Sequence, residues 1–229
     1  MNNLKGLATG IGSLPHQDAD SALSLIFKYI PGIPFWPQLP KRDLREGMIS
    51  QFSEKIPCLK IGPSGLFFDA SKQEEELERF YEKAIACDLD YFKISREYAS
   101  GLYRFHEMLT GGTGIAGIEL LKLQITGPFT FAGAVNDESG TAILHNKVLF
   151  QAVLKSLNMK ALWQANMFKG FGKRIAMFID EPYLGCFGSA YTPLNREEVV
   201  CGLTDFIEGL KPLCAMLGVH CCGNTDWSI

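Results

Sequence analysis

Short, nearly continuous apolar runs alternate with longer amphipathic stretches along the whole of this 229-residue chain. A strand buried on both faces reads as an unbroken apolar run. Such strands, separated by helix-length segments, specify a parallel sheet wrapped by helices. The predicted strands are Leu7 to Ser13, Ile33 to Leu39, Tyr91 to Ser95, Leu120 to Thr126, Arg174 to Asp180, and a last one carrying His220. The second is an imperfect ladder, because Pro34 and Pro37 have no N–H to donate. Between them, Asp18 can cap a helix bearing Ala22, Leu25, Ile26 and Tyr29, which Pro31-Gly32 stops. Glu74 to Cys87 carries Leu77, Phe80, Tyr81, Ala84 and Ile85 on one face. A long helix is predicted from about Thr141 to Lys169, ending at Gly170. Asn195 with Glu198 forms a capping box for a helix through Leu210.

About six such units fall short of the eight in a complete barrel of about 250 residues. The expected fold is therefore α/β, a parallel (β/α)8 TIM-type barrel with about six of its eight strands, as one domain over residues 1–229. An open doubly wound sheet, complete at this length, is the alternative. An incomplete barrel leaves two unpaired edges, so a homo-oligomer or rearranged loops are expected to cover them.

The bulk properties narrow the class. A net charge of -3, without a Lys/Arg cluster, argues against nucleic acid and anionic membrane as partners. No apolar run reaches membrane-spanning length, and Met1-Asn2-Asn3-Leu4-Lys5 lacks the apolar core of a signal peptide. Seven cysteines without a regular framework suggest free thiols in a reducing cytoplasm.

Three strand ends carry polar residues where parallel folds place their chemistry. Gly10-Ile11-Gly12-Ser13-Leu14-Pro15 can offer backbone N–H groups to a carboxylate or phosphate, or be a tight turn before Pro15. Asp180-Glu181-Pro182 ends the run Ile175 to Ile179. Alternation sends its two carboxylates to opposite sides, and either could instead cap a helix. His220-Cys221-Cys222 follows Leu217-Gly218-Val219. In an extended strand His220 and Cys222 share a face while Cys221 points away, so the pair could be half of a zinc site or two buried thiols beside a histidine.

Other motifs are weaker. Gly112 to Gly117 matches G-x-G-x-x-G but precedes a strand, so the dinucleotide reading fails its context. Phe35-Trp36-Pro37 could wall a pocket or pack the core. His16 could meet an anion, although a lone histidine is more often structural.

In order and spacing, Gly10 to Pro15, Phe178-Ile179-Asp180-Glu181-Pro182 and His220-Cys221-Cys222 together resemble the C-terminal catalytic barrel of cobalamin-independent methionine synthase. More broadly they resemble the superfamily shared with uroporphyrinogen decarboxylase and zinc-dependent corrinoid methyltransferases. The resemblance implies zinc-dependent methyl (alkyl) transfer to a thiol such as homocysteine. The backbone of Ile11, Gly12 and Ser13 would hold the substrate carboxylate, with Asp180 receiving its ammonium and Glu181 beside it. His220 and Cys222 would ligate zinc, which makes a bound thiol nucleophilic at neutral pH. The methyl donor would be a folate, a corrinoid protein or another methylated compound. Where that family has a glutamate after its second strand, Gly47 to Phe52 offers Ser50. Its remaining zinc ligands come from two further strands, beyond Ile229, so zinc is expected to be weak or absent in this chain. The rival expectation is a non-catalytic fragment that binds a small anion or serves in assembly.

Overall fold

The computed structural model describes residues 4, 6–187 and 195–227. Most of the Met1 to Lys5 segment lies outside the described residues. Eleven elements carry the fold: α1 (Ala19–Tyr29), β1 (Leu59–Gly62), β2 (Gly65–Phe68), α2 (Gln73–Ile85), α3 (Ser100–Thr110), β3 (Leu120–Thr126), α4 (Pro128–Gly133), α5 (Lys147–Phe168), β4 (Arg174–Asp180), α6 (Arg196–Glu208) and β5 (Met216–His220).

Local chemistry sets several boundaries. Asp18 accepts the amides of Asp20 and Ser21 and so starts α1. Asn195 and Glu198 form the reciprocal capping box of α6. The long helix begins at Lys147, later than Thr141, because Asn146 caps it through the amides of Val148 and Leu149. Thr141 is held in the preceding loop, where its amide donates to Asp137 and its carbonyl accepts from the Asp137 amide. Leu59 to Phe68, not expected as strand, forms an antiparallel hairpin closed opposite Gly62 and Gly65.

β3, β4 and β5 form a three-stranded parallel sheet in that order, with Leu120 opposite Arg174, Thr126 opposite Asp180, and Asp180 opposite His220. One face presents Leu121, Leu123, Ile125, Ile175, Met177 and Ile179, all buried in a core that includes Leu149, Val153 and Leu157 of α5. Burial of each such side chain contributes about 1.5–3 kcal/mol relative to exposure.

The expected barrel is not the fold. The described residues hold five strands in two small sheets, one antiparallel pair and one parallel triplet, and no closed barrel. Three of the expected strands supply the reason. Among the described residues, Leu7 to Ser13 forms one bridge, Ser13 to Gln38 of the neighbouring segment, and Ile33 to Leu39 meets the sheet through one bridge, Phe35 to Lys122. Pro34 and Pro37 interrupt the donors a longer ladder needs. Tyr91 to Lys93 satisfies its amides locally: Tyr91, Phe92 and Lys93 donate to Asp88, Leu89 and Asp90, which makes successive turns. The β3-β4-β5 order runs in sequence and does not reverse, as a doubly wound sheet would. Among the described residues, no helix is long and apolar enough to cross a membrane.

Candidate functional site

The second face of the parallel sheet carries a polar row on β3 beside the apolar Ala176 and Phe178 of β4. Alternation along β3 puts Lys122, Gln124 and Thr126 on it, and the register sets Asp180 and His220 beside Thr126 at the carboxyl ends of the strands. Asp180 is buried, and its Oδ1 lies 3.2 Å from Nδ1 of the half-buried His220. Lys122 is 1% exposed. Its ammonium donates to the Ile11 carbonyl and, at 3.0 Å, to Gln124 Oε1. It sits 5.8 Å from the Phe35 ring and 5.4 Å from the Phe178 ring.

The charges on this face act on one another. Burial pushes the Lys122 ammonium down to about 8, while the Asp180 carboxylate pulls it back up. Burial raises the Asp180 carboxyl, against the attraction of Lys122 and His220. Each charge costs free energy to bury, and each is held by its opposite.

The Ile11 to Ser13 segment joins this cluster through its backbone. The Gln38 amide donates to the Gly12 carbonyl, and the Leu14 amide to the Gln38 carbonyl, both at 3.0 Å. A Cβ on Gly12 would stand 2.9 Å from Gln38 Oε1 and 3.1 Å from Gln124 Nε2, so only glycine admits this approach. Ser13 Oγ donates to Gln38 Oε1 at 3.3 Å, and Gln38 Nε2 to Gln51 Oε1 at 2.6 Å. Ile11 meets Lys122 with its carbonyl, and its side chain is exposed.

Glu181 points elsewhere. It is fully buried and accepts from the amides of Phe129 and Thr130 and from Thr130 Oγ1, at 2.6–2.8 Å. That places it as the cap of α4, with burial raising its carboxyl to about 7 against those hydrogen bonds. Gly127 makes room for it: a Cβ there would fall 2.1 Å from Glu181 Cδ.

Strand β5 ends at His220, so the extended geometry that would aim Cys222 with His220 is not continued, and Cys222 is exposed. Cys221 is half-buried, with Sγ 3.8 Å from the Pro182 carbonyl. Among the described residues, no three His, Cys, Asp or Glu side chains converge as a metal would need. A closed zinc shell requires three or four such donors, and His220 and Cys222 do not assemble the half site expected of them. Cys186 and Cys201 are exposed and not packed, while Cys214 is half-buried and its thiol is pushed up to about 11.

Phe35 and Trp36 pack in the core, with Trp36 Nε1 donating to Gln164. Gly112 to Gly117 forms turns ahead of β3. His16 buries an Nδ1 that has no partner. Sequence reasoning passed over Lys122 and Gln124. Their signal was the alternation Leu121-Lys122-Leu123-Gln124-Ile125, which marks a strand with one polar face.

No family model, curated protein or solved structure matches the chain.

Proposed function

We propose that the carboxyl end of the parallel sheet binds a small amino-acid thiol and carries its S-methylation. The observation that supports this reading is the contact of buried Asp180 with half-buried His220 at the strand ends, on the sheet face where Lys122 holds the Ile11 carbonyl. Asp180 Oδ1 orients the imidazole through Nδ1, which leaves Nε2 to accept the proton of a substrate thiol. The sulfur then bonds to the methyl carbon, and the donor's leaving group departs with its electron pair. Asp180 stabilises the imidazolium so formed and attracts the substrate ammonium, while Lys122 holds the Ile11 carbonyl in place. No step is assigned to zinc, since the donors present do not close a shell around it.

The test offers L-homocysteine with a panel of folate, corrinoid and sulfonium methyl donors, and reads methionine by mass spectrometry. One donor class is expected to give turnover, slowed about a hundredfold by His220→Asn. No methionine from any donor would contradict the reading.

A second reading, as an assembly component, is favoured by the sheet edge. Among the described residues β5 pairs only with β4, and Met216 and Trp227 nearby are exposed. Sedimentation velocity is expected to give a dimer in that case, and a monomer at all concentrations would remove it.

A further inference from the structure

Away from the parallel sheet, a cavity of about 380 Å³ opens between the segment from Ser53 to Ile61 and helix α2. None of its lining residues belongs to β3, β4 or β5. Its volume suits one small ligand. Ile56, Pro57 and Leu59 give it apolar surface, and Tyr91 and Tyr98 add aromatic wall. Burial pushes both tyrosine hydroxyls up, so they remain protonated donors near neutral pH.

The charged groups are unevenly engaged. Lys55, Lys60 and Arg79 line the cavity with Glu54 and Glu76. Both carboxylates already serve the backbone: Glu54 accepts the Ser95 amide at 2.9 Å and Glu76 the Cys58 amide at 2.7 Å. Glu76 also pairs with Lys60. Among the described residues Arg79 pairs with Glu75 alone, a pair more than half exposed at both ends and therefore weak. Lys55 makes no ion pair among the described residues. Behind this wall Lys160, fully buried, donates to the Glu54 carbonyl at 2.6 Å and fixes that carbonyl.

The backbone beside the cavity is held in an unfavourable shape. Lys55 and Cys58 have φ of 63° and 64°, a region that costs a side chain other than glycine's. The conformation is pinned by the bonds Ile56 N to Ser53 O and Asp69 N to Cys58 O. Strain of this kind persists where the surroundings enforce it, and it gathers at ligand sites. A glycine at position 55 would relieve it, yet the chain carries lysine there.

We infer that this cavity is a binding site for a small ring-bearing anion, a phosphate ester or carboxylate, whose charge is met by Lys55, Lys60 and Arg79 and whose ring lies against Tyr91 and Tyr98. The inference is independent of the reading proposed for the sheet end.

Calorimetric titration with phenyl phosphate, inorganic phosphate and benzylamine tests it on the full chain. Phenyl phosphate is expected to bind more tightly than about 1 mM, ahead of inorganic phosphate, with benzylamine not binding. Lys55→Gly should weaken phenyl phosphate by about tenfold or more and at the same time raise the melting temperature. Glu76→Gln, which keeps an acceptor for the Cys58 amide and frees Lys60, should tighten it. Three results would overturn the inference: no saturable binding of phenyl phosphate up to about 10 mM, preference for benzylamine, or unchanged affinity in a Lys55→Gly protein that is folded.

Discussion

Asp180 and His220 stand opposite each other in register on adjacent parallel strands, joined by a 3.2 Å contact between Oδ1 and Nδ1. Forty residues of chain separate them, and the sheet brings them together at the edge where parallel folds do chemistry. Lys122, four residues before Thr126 on the same face of β3, completes the set of charges.

That arrangement predicts a titration. The Asp180 carboxyl is raised by burial and held back by Lys122 and His220. In Lys122→Met the restraint from the ammonium is gone, so the carboxyl should titrate at higher pH than in the parent. Carboxyl carbon NMR of Asp180 across the acid range reads this directly. An unchanged or lower midpoint would show that Lys122 and Asp180 do not interact.

Gly127 faces the cap of α4. Because Glu181 is fully buried and tied by three hydrogen bonds, it cannot retreat from a methyl group placed 2.1 Å from its Cδ. Gly127→Ala should cost about 2–3 kcal/mol in urea denaturation. A loss below about 0.5 kcal/mol would mean that the cap is not formed as described.

Lys160 makes stability depend on pH with a known sign. Burial lowers its ammonium from 10.5 to about 7 in the folded chain. Between those values the unfolded chain binds more protons, so the contribution of Lys160 to stability rises with pH across that window and is least favourable below it. Lys160→Met removes this dependence. The stability difference, variant minus parent, should therefore shrink as pH rises from 7 towards 10. A difference that is flat or grows with pH would contradict the burial of a charged lysine.

How much of this was legible in the sequence follows from which forces are local. β3 and β4 fall at the expected Leu120 to Thr126 and Arg174 to Asp180, because an apolar/polar alternation in the first and an unbroken apolar run in the second admit few other fates. The caps at Asp18 and Asn195 were legible for a similar reason: the side chain and the amides it serves lie within four residues. Barrel closure was not legible. It depends on distant strands pairing, and Pro34, Pro37 and the turns around Tyr91 leave too few donors free. At the site, Asp180 and His220 were nameable as strand ends. The assignment of Glu181 to α4 depended on where Phe129 and Thr130 would lie, which no local pattern reports.

Zinc content follows from the donors. His220 and Cys222 are two ligands at most, and a two-ligand site binds the ion weakly. Elemental analysis after dialysis should give well under one zinc per chain. Stoichiometric zinc would require donors that the described residues do not bring to His220.

The most direct test of the sheet-end site is calorimetric titration of L-homocysteine into the parent chain and into Asp180→Asn. The parent should bind with a dissociation constant below about 1 mM, and Asp180→Asn should lose at least about tenfold while staying folded. Equal affinity in the two proteins, or no binding to the parent, would contradict an amino-acid thiol site at Asp180 and His220.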